Sequence, residues 1–324
     1  MKIGMMSFAH MHAYSYADSL MKLYNVEIAG IYDGDEKRGK EAAESYHTEY
    51  YRDQADFLAA DMDAVIICSE NSRHKEMVVN AAKAKKHILC EKPIATTVED
   101  AKEMIAVCEE YGVILQTAFP VRFSDPIMRL KKMIDEGELG EIMAFRTTNR
   151  GQNPGGWFID PEQSGGGAVL DHTVHMVDIM RWYSGREISS VHAIVDSFFH
   201  DIEIDDAGIL TLEFESGVIA SHDASWSRFA EYPVWGDATI EVIGTKRTVR
   251  ADAFKEHIRI FKSGSKSLEH VFYGNDMDSG LIKDFVDCIE KKREPSISGY
   301  DGLKALEAAL AAYKSSETKS TVYL

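Results

Sequence analysis

Apolar residues recur along the chain with two different rhythms, and the change between them divides it. From Lys2 to Gln116 short apolar runs alternate with segments in which apolar residues return every three or four positions. The runs Lys2–Met6, Glu27–Tyr32, Ala64–Cys68, His87–Leu89 and Val113–Gln116 predict strands, and Ala13–Tyr24, Lys37–Ser45, His74–Lys83 and Val98–Tyr111 predict helices. Ala64-Val65-Ile66-Ile67-Cys68 is apolar throughout, as a strand covered on both faces must be, so the alternation predicts βαβ units on a parallel sheet. A further helix is expected over Pro126–Glu136, stopped by Gly137 and Gly140.

After Glu141 the rhythm shortens to that of strands in succession: Ile142–Asn149, Ser190–Phe199, Gly208–Phe214, Val218–Ser225, Ala238–Ile243 and Ile258–Phe261. Glu215-Ser216-Gly217 joins two of them as a hairpin, and helices over Ser279–Lys292 and Tyr300–Ser316 close the chain. The expected architecture is α/β followed by α+β. Residues 1–120 form a Rossmann-type, doubly wound parallel sheet, and residues 121–324 a domain on a large, mostly antiparallel open sheet with helices on one face. An uncovered face carrying Val195, Phe199 and Phe214 would be a large apolar patch, which predicts a homodimer or homotetramer.

Composition narrows the function classes. The 324 residues, 45% hydrophobic and 27% charged, suit a globular chain with two cores rather than a disordered one. No apolar run approaches the ~20 residues that span a bilayer. Four scattered cysteines without CxxC spacing, and an opening Met1-Lys2-Ile3-Gly4 that leads directly into a strand, point to a cytoplasmic protein with reduced thiols. A formal charge of −17 repels phosphate backbones and anionic lipid, which argues against nucleic acid and membrane as partners. It leaves room for a local pocket that takes a cofactor phosphate.

The first strand runs into Ser7-Phe8-Ala9-His10-Met11-His12, where a dinucleotide fold places its three glycines; here those positions hold Ser7, Ala9 and His12. The following helix still directs its positive end at the turn. Asp33 ends the second strand, 33 − 12 = 21 residues beyond the last of these positions, where a ribose-binding carboxylate is expected. A carboxylate there repels a 2′-phosphate and favours NAD over NADP, while Lys37-Arg38 keeps NADP open and a solvated turn before Gly34 is the plain structural alternative. Further along, Ser69 follows a strand, Asn71 and His74 are expected on the nicotinamide side (or Asn71 caps the next helix), and Glu91-Lys92-Pro93 follows another strand end. Downstream, Gly165-Gly166-Gly167 enters a helix on which Asp171 and His175 are i and i+4, a carboxylate and an imidazole on one face, as proton transfer requires.

The chain resembles the glucose–fructose oxidoreductase / inositol 2-dehydrogenase (Gfo/Idh/MocA) family over essentially its whole length. The residues concerned are 63–74, His87–Pro93, Arg122 to Gly140 and the triple-glycine helix. The resemblance implies a catalytic group of Lys92, Asp171 and His175, and a Lys92–Pro93 bond that is often cis. It implies hydride transfer between a nicotinamide cofactor and a secondary alcohol or ketone of a sugar, inositol or related polyol. Ser7, Ala9, His10, His12, Asp33, Ser69, Asn71, His74, Glu91 and Lys92 are then expected at the cofactor, and Lys92, Arg122, Trp157, Asp171 and His175 at the substrate. Arg122 could equally bond a carboxylate of the protein, and Trp157 could equally pack on the core. The phosphate loop departs from the family in lacking glycines, and Ser69-Glu70 departs where Thr-Pro is common.

Two other functions compete. His10-x-His12 with Asp171, His172, His175 and Asp178 could form the metal set of a hydrolase, but the strand–helix alternation stops after about five strands, short of the eight of a barrel. A non-catalytic nucleotide or sugar sensor on the same fold is the second, prompted by the altered loop.

Overall fold

The computed structural model describes residues 1–232, 234–254, 257–261, 268–272 and 276–324, with the backbone alone for 257–261 and 268–272. The chain begins β1 (Lys2–Met6), α1 (His12–Met21), β2 (Glu27–Tyr32), α2 (Glu36–Ser45), β3 (Tyr50–Tyr51) and α3 (Gln54–Ala59). It continues β4 (Ala64–Ile67), α4 (His74–Lys83), β5 (His87–Cys90), α5 (Val98–Tyr111), β6 (Leu115–Thr117) and α6 (Asp125–Asp135). Then come β7 (Ile142–Gln152), α7 (Pro161–Ser164), α8 (Ala168–Ser184), β8 (Ile188–Asp196), β9 (Ala207–Phe214) and β10 (Ile219–Arg228). Last are β11 (Asp237–Gly244), β12 (Thr248–Asp252), β13 (His257–Phe261), β14 (Leu268–Phe272), α9 (Met277–Lys291), α10 (Gly299–Thr318) and β15 (Val322–Tyr323).

Two compact units result. The first combines Met1–Phe119 with Glu162–Gly165 and Asp278–Leu306, and the second combines Pro120–Pro161, Gly166–Met277 and Glu307–Leu324. In the first, six parallel strands lie in the order β3-β2-β1-β4-β5-β6. All four residues of β4 are buried, as its unbroken apolar run requires. The order reverses between β1 and β4, so the loops that leave these two strands flank the crevice where open parallel sheets bind ligands. A hydrogen bond from His10 N to Cys68 O, 2.9 Å, ties the two loops together.

The second unit holds a seven-stranded sheet in the order β12-β11-β7-β10-β9-β8-β15. Only β7 and β10 run parallel. Strict alternation of burial in β9 gives the sheet a covered face and an open one. The same alternation corrects one expectation: Phe214 faces the core and meets Phe145 at 5.8 Å between ring centroids. Phe199 lies beyond the end of β8, and the exposed apolar strand residues include Ile194, Ile209 and Ile219. Ile194 and Ile209 are cross-strand partners. β3, α3, α7, β12, β14 and β15 had no counterpart among the predicted elements; β3 and β15 are two residues each, too short for any periodicity to register.

Helix α8 lies under this sheet and is buried on every side over most of its length. Such a helix has to satisfy its first N–H groups inside the protein. The Asp205 carboxylate accepts from Gly167 N at 2.9 Å and Val169 N at 2.8 Å, and the Tyr313 hydroxyl accepts from Leu170 N and donates to Asp205. Burial nevertheless pushes the Asp205 carboxyl up. These contacts account for the glycine run. A Cβ on Gly166 would press against the Tyr313 hydroxyl, and one on Gly167 would overlap the Asp205 carbonyl oxygen. Gly185, at φ +62, ends the helix in the left-handed conformation. Among the described residues no helix is long and apolar enough to cross a membrane.

Candidate functional site

In the first unit the turn after β1 keeps the path of a glycine loop without its glycines. Ser7 adopts φ +71, a left-handed conformation that costs a side-chain-bearing residue energy. Its hydroxyl accepts from Ala9 N at 3.2 Å, and its N–H donates to Tyr32 O. His12, which stands in place of the third glycine, bonds Glu91 Oε1 through Nδ1 at 2.9 Å. Glu91 is fully buried, and its Oε2 accepts from Lys92 N at 3.0 Å. Burial pushes the Glu91 carboxyl up, but the charges of His10, His12 and Lys92 outweigh it and hold the group well below the usual carboxylate range. Burial would lower His12, and the charge and hydrogen bond of Glu91 more than reverse that, leaving its pKa raised.

His10, His12 and Glu91 offer ligand atoms within 4.8 Å of one another. Their hydrogen bonding, however, is internal. His10 Nδ1 accepts from His12 N at 3.2 Å, and His12 Nδ1 is engaged by Glu91 at 2.9 Å. The set reads as a hydrogen-bonded cluster and not as the ligands of a hydrolase.

Asp33 is fully buried at the end of β2. Phe8 N donates to its Oδ2 at 2.7 Å, Asp35 N to its Oδ1 at 2.9 Å, and Arg38 grips both oxygens at 2.7–2.8 Å. The expected ribose ligand is thus a clamp for the loop, with the Arg38 guanidinium, 28% exposed, as the group nearer the surface. Ser69 is fully buried and its hydroxyl donates to Glu70 O. Asn71 does not cap a helix: its amide donates to Ser164 O at 2.8 Å, while its buried Oδ1 has no partner among the described residues. His74 is fully buried between Pro93 O at 3.0 Å and Ser69 O at 3.3 Å, and burial lowers its pKa. It therefore braces the loop that contains the cis Lys92–Pro93 bond. Lys92 itself is 5% exposed.

These features fit a dinucleotide. The loop path is preserved, the His12 side chain is drawn to Glu91 so that α1 starts directly after the turn, and the Asn71 oxygen is a buried acceptor that a carboxamide N–H could fill.

In the second unit α8 carries the remaining chemistry. Asp171 pairs with His172 Nε2 at 3.2 Å and accepts from Trp226 Nε1 at 3.4 Å. His172 Nδ1 donates to Asn149 O at 2.9 Å, and Asn149 Nδ2 donates back to His172 O at 3.1 Å. His172, named above only as a metal-ligand candidate, is thus a partner of Asp171. Its neighbour in sequence was the available signal, but helical spacing favoured His175. Behind it, His222 is held at about 3 by burial and by the charge of His172. A Cβ on Gly151 would stand 2.9 Å from Trp235 Nε1 and 3.0 Å from His172 Cε1, so glycine is what lets both rings lie against this strand. His175 is 7% exposed.

Trp157 and Arg122, the other expected substrate ligands, both have partners within this unit. Trp157 stacks on Phe158, 3.9 Å between centroids, and packs against the cluster of Phe158, Ala168 and Trp226. Arg122 is 6% exposed, bonds both oxygens of Asp178 at 2.6 Å and lies over the Trp182 ring. Asp178, another candidate metal ligand, is occupied by the same pair. Breaking a buried ion pair leaves one charge uncompensated and typically costs about 3–5 kcal/mol. Arg122→Ala should therefore lower unfolding stability in urea by that order; an unchanged midpoint would restore Arg122 to the substrate.

Comparison with known proteins places the fold in a family. Residues 3–119 match the model of the oxidoreductase family with an NAD-binding Rossmann fold, and residues 127–250 match the GFO/IDH/MocA C-terminal domain. The chain is 32% identical to the myo-inositol 2-dehydrogenase of Thermotoga maritima over 337 residues, covering 100% of this chain and 98% of that protein. It is 30% identical to the inositol 2-dehydrogenase of Rhizobium meliloti over 308 residues, 92% of each. The structure of a putative myo-inositol dehydrogenase from Sinorhizobium meliloti superposes with a TM-score of 0.87 at 28% identity, covering 100% of this chain and 99% of the other. The chain belongs to the GFO/IDH/MocA family of oxidoreductases, with the family's NAD-binding Rossmann fold followed by its C-terminal domain.

Proposed function

We propose that this oxidoreductase transfers a hydride between NAD and a secondary alcohol or ketone carbon of an inositol, a sugar or a related polyol. Residues 1–120 bind the cofactor in this reading, and residues 121–324 serve substrate binding and self-association. The carrying observation is Lys92, a lysine only 5% exposed at the carboxyl end of β5, the edge where parallel sheets do their chemistry. The nicotinamide supplies the hydride acceptor or donor. Lys92 stabilises the negative charge that develops on the substrate oxygen. His175 takes the hydroxyl proton or returns it, and Asp171, one helical turn away and paired with His172, holds and relays it. The relatives named as inositol dehydrogenases support the polyol class. We place the enzyme in the cytoplasm on its cysteine usage.

Each catalytic side chain acts mainly in the transition state, so its loss should lower turnover and spare cofactor affinity. With myo-inositol and a panel of polyols, His175→Ala and Lys92→Ala should each lose about 10²–10⁴-fold in kcat, with NAD affinity within a few-fold of the parent. Lys92→Arg should not rescue, because a planar fork replaces a compact ammonium. Full activity in Lys92→Ala would end this mechanism.

NAD should bind more tightly than NADP, because Asp33 neutralises the Arg38 guanidinium near the β2 end. Asp33→Ala frees Arg38 and should narrow that gap by about tenfold, the worth of one charge-assisted contact. Calorimetry giving tighter NADP binding to the unaltered protein would contradict the assignment.

The open sheet face with Ile194, Ile209 and Ile219 is proposed as the self-association surface. Light scattering at micromolar concentration should give twice or four times the chain mass of 36.3 kDa, and a monomer mass would exclude it.

A further inference from the structure

The cluster at the end of β1 contains more charge than a phosphate loop needs for its own folding. Glycine loops offer a pyrophosphate bare backbone N–H groups. Here those groups are largely engaged within the protein. Phe8 N donates to Asp33, Ala9 N to Ser7 Oγ, His10 N to Cys68 O, and His12 N to His10 Nδ1. The donors a phosphate would use therefore have to come from a side chain. His12 is the residue placed for it, at the first position of α1 with its side chain 30% exposed.

We propose that His12, pinned through Nδ1 to buried Glu91, presents Nε2 to the cofactor pyrophosphate and replaces the missing glycine amides as its anchor. The inference rests on the reading of the first unit as the NAD-binding domain. Its logic is one of tautomers. Glu91 can only accept, so His12 Nδ1 carries a proton in both charge states of the ring. Nε2 of the neutral ring is then a lone pair, which repels a phosphate oxygen. Nε2 of the imidazolium is a donor with a positive charge behind it, which attracts one. Protonation thus converts the anchor from repulsive to attractive, and the buried carboxylate keeps the protonated form available above the ordinary histidine range.

The groups around His12 allow that assignment. Tyr16 on α1 approaches Nδ1 at 3.3 Å, and its phenol is pushed up by burial. Cys68 at the end of β4 is likewise held up by burial, so neither ionises where His12 titrates. Asp278 on α9 adds negative charge that favours the imidazolium, and Lys92 adds positive charge that opposes it. His10 lies beside His12 at 4.4 Å between ring centroids and also faces Glu91.

The sign follows. Because the His12 pKa is raised, the anchor is complete below the raised value and is lost as pH climbs through it. NADH binding, followed by nicotinamide fluorescence, should weaken about ten- to a hundredfold between about pH 6.5 and about pH 9.5, the worth of one bond to a charged group. His12→Gln should bind weakly and almost equally at both values, with ADP-ribose in competition behaving as NADH does. Far-ultraviolet circular dichroism of the variant checks that the fold is kept, and the pH slope of the unaltered protein stands as a test that needs no variant. A flat slope in the unaltered protein, or an undiminished slope in His12→Gln, would overturn the anchor while leaving the NAD reading standing. Failure of the unaltered protein to bind NADH at either pH would instead remove the NAD reading beneath it.

Discussion

The first unit is organised around one buried charge. Glu91 sits at the carboxyl end of β5 with no exposure, and an ionised carboxylate in such a place has to be compensated at once. The compensation comes from three directions in the fold: His12 at the start of α1, His10 in the turn after β1, and the backbone N–H of the next residue, Lys92. Because those partners sit on different elements, satisfying the carboxylate also fixes where the β1 turn lies relative to the end of β5. A second buried carboxylate, Asp33, does the same on the other flank by collecting Phe8 N, Asp35 N and both arms of Arg38. The loop between them is built by carboxylates, where a glycine-rich loop would be built by close backbone packing. That explains how Ser7, Ala9 and His12 can occupy glycine positions and still follow the required path.

The second unit solves a related problem around α8. A helix buried on all sides is normally apolar, yet this one carries Asp171, His172, His175, Asp178 and Arg181. Each polar group with a described contact has a partner from elsewhere: Arg122 for Asp178, Asn149 for His172, Glu187 for Arg181. Asp205 and Tyr313 finish the N-terminal amides. Ordering these groups during folding leaves little rotamer freedom in them in the folded protein. A neutral His222 behind His172 adds no competing positive charge to the Asp171–His172 pair.

Much of this was determined by the sequence alone. The unbroken apolar run of β4 and the strand–helix alternation before residue 120 specified a parallel sheet, because only a strand covered on both faces has that pattern. The period-2 runs beyond Glu141 specified the second sheet, and Glu-Lys-Pro together with the Gly-Gly-Gly and Asp-x-x-x-His element specified the family. Local spacing also gave the helical face shared by Asp171 and His175. Only the tertiary structure decided which charge meets which. Asp33 is gripped by Arg38, Arg122 is held by Asp178 across 56 residues of sequence, and His12 meets Glu91 across 79. Periodicity reports which side of an element is buried, since burial depends on the element's own geometry. It carries no information on which distant side chain compensates a buried charge, because that choice depends on how separate elements come together.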